Sequence, residues 1–176
     1  MAETTKESKK KFSKGIITVQ ANDFIQKASY KNFDTVDIKI FKTILGKINH
    51  NETLFKDFYT IDYDDLDEVN IDKKNRFAIV TKSLKKLAAY YVQLEQGTNT
   101  IEVGLIQNKF KYERNSSKIV VSVHEDLKPF LLDLSVKYTK YAIANLAELK
   151  NVYSIKLFEL LKSFQSLGYY ETTITN

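Results

Sequence analysis

An α+β fold is predicted by three observations on this sequence of 176 residues. Residues 34–49 carry a capped amphipathic helical pattern, and residues 63–69 a shorter one. Residues 72–90 carry the longest such pattern, with lysines on its outer side. Beyond residue 91 the apolar spacing changes from helical to alternating, around a turn crowded with basic side chains.

Helix, short helix, long basic-faced helix and hairpin together make the outline of a winged helix-turn-helix. In that arrangement the third helix reads DNA and the hairpin is the wing.

In chain order, residues 1–14 hold five Lys against Glu3 and Glu7 and read as a disordered basic arm. Residues 15–176 form the folded domain. Gly15–Gln20 is a β-like run, and Phe24, Ile25 and Ala28 then make a small apolar face. Asp34 is an N-cap, with Asp37 completing a weak capping box. Val36, Ile40, Phe41, Ile44, Leu45 and Ile48 form the stripe of that helix. Leu54–Ile61 reads as a strand.

Six carboxylates follow between Asp57 and Glu68, but Leu66 falls where a calcium loop needs a ligand and no Gly makes its turn. They read instead as the polar face of a short helix, with Leu66 and Val69 inward. In Asp72–Tyr90, Phe77, Val80, Leu84 and Leu87 line one side together with Tyr91 just beyond it. Asn75, Ile79, Lys82 and Lys86 lie opposite, with Lys85 close by.

Val92 and Leu94 alternate up to a turn at Gln96–Asn99, and Ile101, Val103 and Leu105 alternate after it. The phase shift near Leu105–Ile106 suggests a β-bulge. Phe110 and Tyr112 then interleave with Lys109 and Lys111 before a second turn carrying Arg114. Pro129 sits in the first turn of a short helix. Residues 138–143 read equally as strand or helix. Residues 151–168 form a helix between a capping Asn and a terminating Gly. Tyr153, Leu157, Leu160, Leu161, Phe164 and Leu167 share one face, while Ile155 and Phe158 interrupt the polar one. An apolar presence on two sides predicts a central helix covered on both flanks. Tyr169–Thr175 closes as a β-like run.

The composition is 43% hydrophobic with no Cys, which allows a packed core and excludes a disulfide scaffold. No apolar run reaches the roughly 18–20 residues of a membrane span, and no secretory signal opens the chain. We therefore expect a cytoplasmic chain with no membrane contact. The two His lack zinc-site spacing, and phosphate-loop and nucleophile-elbow motifs are missing. Neither an enzyme nor a cofactor or metal site is expected. Outside residues 1–14 the charge nearly balances, with 22 basic against 20 acidic residues. Binding of nucleic acid would thus need charge arranged on one face. The candidate DNA-binding residues are Lys73, Lys74, Asn75, Arg76, Lys82 and Lys86 from the long helix. The wing adds Lys109, Lys111 and Arg114. Solvated lysines are the bland alternative for both groups.

The wording of the last helix adds a resemblance. Tyr153, Ser154, Ile155, Leu157, Glu159, Leu160, Leu161, Lys162 and Gly168 match a signature of the replication initiator (Rep) proteins of iteron-type plasmids. Lys156 stands where Arg is usual, and Phe158 where Tyr is usual. Val19, Asn22, Ile25, Ala28 and Tyr30 resemble the family's opening, and Leu127, Pro129, Leu131 and Leu134 its middle. The resemblance implies the first of two tandem winged-helix domains, with the second absent here. It implies double-stranded DNA, as origin repeats, as ligand. It also implies homodimerisation and contact with host replication proteins. Three readings stay open: a DNA-binding half of an initiator, mainly a dimerisation module, or a chromosomal winged-helix regulator of transcription.

Overall fold

The computed structural model describes residues 15–112, 115–169 and 171. The predicted arm, Arg114 and most of the final β-like run lie outside these residues.

The chain runs β1 (Ile17–Ala21), α1 (Asn22–Lys27), β2 (Ala28–Ser29), α2 (Thr35–Leu45) and β3 (Tyr59–Asp62). A 3-10 segment, Tyr63–Val69, leads to α3 (Arg76–Ala89). Then come β4 (Tyr91–Gln96), β5 (Asn99–Gly104), β6 (Ile106–Tyr112) and β7 (Lys118–Val123). The short α4 (Lys128–Leu131), β8 (Tyr138–Ala142) and α5 (Val152–Ser163) follow. The strands make three antiparallel sheets among the described residues: β1 with β8, β2-β4-β5, and β3-β7-β6.

Helix α2 is the centre. Asp34 caps it by accepting from the Val36 and Asp37 amides, each at 3.1 Å. Asp37 returns a bond from the Asp34 amide at 2.9 Å, which closes the box. Every residue from Asp37 to Leu45 is buried. A helix buried all round must pair or hydrogen-bond any charge it carries. Lys39 donates to the Ala147 carbonyl at 2.7 Å, and Lys42 forms an internal ion pair with Glu159.

The strand predicted over 54–61 is shorter, beginning at Tyr59. The long helix begins at Arg76 because Asp72–Asn75 form its approach, where Asp72 accepts from the Lys74 amide at 3.0 Å. Gly97, at φ +61°, makes the tight β4–β5 turn. The phase change near Leu105 is more than a bulge. There the chain leaves one sheet for another, and the β6–β7 register shifts between Ile106 and Phe110. Residues 138–142 are a strand, held by β1.

The largest correction concerns α5. Its cap is as expected, Asn151 accepting from the Ser154 amide at 2.8 Å. Its burial is reversed. The apolar stripe faces out, whereas the polar side, with Ile155, Glu159 and Ser163, faces in. That side docks through hydrogen bonds. Glu159 Oε1 accepts from Lys42 Nζ at 2.7 Å, Tyr141 OH at 2.6 Å and Gln20 Nε2 at 3.1 Å. Lys42 Nζ also donates to Gln20 Oε1 at 2.6 Å and contacts Tyr30 OH at 3.1 Å. Burial, and then the Glu159 charge, push the Tyr30 and Tyr141 phenols well above their usual range, so both stay neutral. Gln26 Nε2 donates to Ser163 Oγ at 3.2 Å.

Lys156 donates to the Ile25 and Ala28 carbonyls, capping the end of α1. Burial pulls its ammonium from 10.5 down to about 8; Glu159 opposes the fall and Lys42 adds to it. Between about 8 and 10 the unfolded chain therefore holds the proton that the folded chain releases. Stability is expected to rise with pH across that window. Lys156→Arg, which cannot titrate there, should flatten the rise in urea unfolding followed against pH. An equal slope in both proteins would contradict the assignment.

Candidate nucleic-acid interface

Helix α3 sits between α2 and β6. Its inward side is Arg76, Val80, Ser83, Leu84 and Leu87. Its outward side is Ala78, Lys82, Lys85 and Ala89, all exposed, with Lys74 and Asn75 exposed at its head. The helical spacing puts these four on a single strip. Lys82 and Lys85 hold no ion pair among the described residues. Alanines at both ends of the strip leave room for close approach to a ligand.

The structure divides the nine predicted residues. Lys74, Asn75 and Lys82 share the outward strip. Lys73 is exposed, but its Nζ lies 2.7 Å from Asp67 Oδ2. Arg76 is buried. It donates to Asp67 Oδ1 at 2.7 Å, to the Tyr63 carbonyl at 2.8 Å and to the Ile71 carbonyl. Its guanidinium thus ties the 3-10 segment to the head of α3. Lys86 turns back to Asp34, at 3.1 Å, and to Asp37. Burial opposes its charge, but the two carboxylates outweigh that and hold its ammonium above the usual value. Asp37 also accepts from Ser83 Oγ at 2.6 Å, so the α2–α3 contact is a polar clasp.

Lys109 and Lys111 are exposed, but not beside the α3 strip. Phe110 pairs with Val121, Tyr112 pairs with Ile119, and the Tyr112 ring meets Phe77 of α3 at 5.4 Å. Alternation then sends Lys111 to the opposite face of the sheet, where its Nζ lies 5.9 Å from the Phe58 ring. The single charged face that the sequence leads one to expect, helix lysines together with Lys109 and Lys111, is therefore not formed: the strand's two-residue period separates them. Arg114 lies outside the described residues. Lys85, close to the outer face on the helical wheel but not among the nine candidates, shares the strip, and the wheel that places Lys82 also places it.

The family model described as Initiator Replication protein, WH1, matches residues 17–162. The chain belongs to this initiator family. A curated relative, the probable replication protein rep of Bifidobacterium longum (strain NCC 2705), is 21% identical over 157 residues. That match takes in 88% of this chain and 52% of the relative, so the chain spans about half of that protein's length. Among solved structures, the fold is similar to that of the Pi initiator protein, crystallised in complex with iteron DNA. The TM-score is 0.68 at 14% identity, over 86% of this chain and 65% of that one. The α+β winged-helix class expected from the sequence is thus the fold of this initiator domain. Among the described residues no helix is long and apolar enough to cross a membrane.

Proposed function

We propose that this initiator domain binds duplex DNA at plasmid origin repeats through the outward strip of α3. The exposed and unpaired state of Lys82 and Lys85 carries the reading. Lys74 and Asn75 extend the strip toward the helix head. Membership of the initiator family supports the choice of DNA, and the Pi initiator, whose fold is similar, was captured on iteron DNA. The domain acts as a binding module rather than an enzyme, in the cytoplasm where the plasmid lies, alongside host replication proteins.

Each lysine that neutralises a phosphate releases a condensed counterion. Lys82→Ala with Lys85→Ala is expected to lower the slope of log affinity against log salt by about one to two. The readout is fluorescence anisotropy on an origin-repeat duplex. Lys109→Ala with Lys111→Ala should leave the slope of that contact nearly intact. The reverse result would move the interface to the far side of the β3-β7-β6 sheet.

A homodimer is the second reading, favoured by β5, an edge strand of its sheet. Edge backbone groups can pair with a second chain. Sedimentation at rising concentration tests it, and a strict monomer would remove it.

A further inference from the structure

Lys82 is not bordered by solvent alone. It lines a cleft of about 300 Å³ between α3 and the head of α2, together with Val36, Ile79, Ser83 and the carboxylates of Asp34 and Asp37. Two acids thus share a hollow with a lysine of the outward strip. The Asp37 side chain is 2% exposed and that of Asp34 is 58% exposed. Burial raises the Asp34 carboxyl, but hydrogen bonds from the Asp37 amide and from Lys86 outweigh it. They hold it below its usual value, so Asp34 is charged at neutral pH. Left uncompensated, these acids would repel an approaching phosphate and draw the nearest free ammonium into an ion pair. Yet Lys82 forms no ion pair among the described residues. The reason lies one turn further along α3. Lys86 is four residues on, a surface neighbour of Lys82 on the helix. Its Nζ spans both acids, 3.1 Å from Asp34 Oδ2 and in contact with Asp37 Oδ2.

We infer that Lys86 is a positioning residue for DNA binding: by satisfying Asp34 and Asp37 it keeps Lys82 free to meet a phosphate. The inference rests on the α3 reading and assigns different work to two adjacent lysines. Lys82 touches the duplex, and Lys86 does not. Without Lys86, Asp34 captures Lys82 across the cleft. A captured ammonium no longer neutralises a phosphate, so one counterion fewer is released on binding. Lys85 lies outside the cleft and keeps its contact.

Four proteins test this: the unaltered full chain, Lys86→Met, Asp34→Asn, and the two changes together. Asn keeps an N-cap acceptor at position 34, so α2 stays capped. Fluorescence anisotropy on an origin-repeat duplex gives the slope of log affinity against log salt. Urea unfolding gives the folded fraction by which each affinity is corrected. Lys86→Met is expected to lower the slope by about one and to weaken binding about tenfold at roughly 0.1 M salt. Asp34→Asn alone should leave the slope unchanged. The double change should restore it, because Asp37 keeps its bonds from Ser83 Oγ and the residue-34 amide and no exposed acid remains to capture Lys82. Lys86→Arg, whose fork can span both carboxylates, should keep the original slope. A direct phosphate contact by Lys86 would give the same loss in the single change with no recovery in the double, and would overturn the inference. An unaltered slope in Lys86→Met, the result of a purely structural clasp, would overturn it too. If Lys82→Ala with Lys85→Ala lowers the slope while Lys86→Met does not, only the role of Lys86 fails. If neither lowers it, the α3 reading fails as well.

Discussion

Lys42→Met is expected to destabilise the fold by about 3–5 kcal/mol, the cost of stranding one partner of a buried ion pair. Both side chains of the Lys42–Glu159 pair have zero exposure. Three donors converge on Glu159 Oε1, and Oε2 has no hydrogen-bond partner among the described residues. Removing the ammonium leaves a carboxylate with two neutral donors and no hydrogen-bonded countercharge, only the Lys156 charge acting on it from farther off. The rings of Phe24, Tyr30 and Phe41, whose centroids lie 5.4–5.8 Å from Lys42 Nζ, cannot supply one. Urea unfolding measures the loss. The double change Lys42→Met with Glu159→Leu should recover much of it, because buried pairs often replace well by apolar residues of similar volume. The coupling in that double-mutant cycle is the decisive quantity. Simple additivity of the two single losses would show that the pair is not the linkage described here.

That pair also explains why one part of the fold was legible in the sequence and another was not. The capping box at Asp34 and Asp37 could be read because both groups act within four residues of each other. Leu66 and Val69 could be read as inward because a short polar segment left no other apolar anchor. For α5 the helical wheel separated two faces correctly but assigned the wrong one to the core. Hydrophobicity ranks faces by transfer cost, whereas Glu159 and Lys156 enter through partners on β1, β8, α1 and α2 that lie far away in sequence. One local signal did exist. Lys42 interrupts Ile38, Ile40, Phe41, Ile44 and Leu45, so a helix this apolar needed a carboxylate from elsewhere. The same limit applies to the candidate site. Lys82 was placed from the wheel alone, but the partners of Lys86 on α2 and of Arg76 near residue 67 are tertiary. The side of the sheet that Lys109 and Lys111 occupy is likewise set by pairing with β7, a tertiary contact.

Arg76→Ala is the second large effect, expected to cost roughly 2–4 kcal/mol through the loss of charge-assisted bonds and the stranding of buried carbonyls. The guanidinium joins Asp67 to the carbonyls of Tyr63 and Ile71, all on the segment that precedes α3. Without it, Tyr63 and Ile71 each lose a donor, and Asp67 keeps only the exposed Lys73. Lys73 and Arg76 together hold the Asp67 carboxyl below its usual range. Part of the loss should therefore appear only above the acid range, where Asp67 is ionised in folded and unfolded chains alike. Arg76→Lys should rescue poorly, since one ammonium cannot reach in the directions a planar fork serves. The distinction from a DNA contact is experimental. A phosphate-binding arginine would change the salt slope of DNA affinity and leave the unfolding midpoint in place. Arg76 is expected to do the opposite, lowering the midpoint in urea while the folded fraction binds DNA with an unaltered slope.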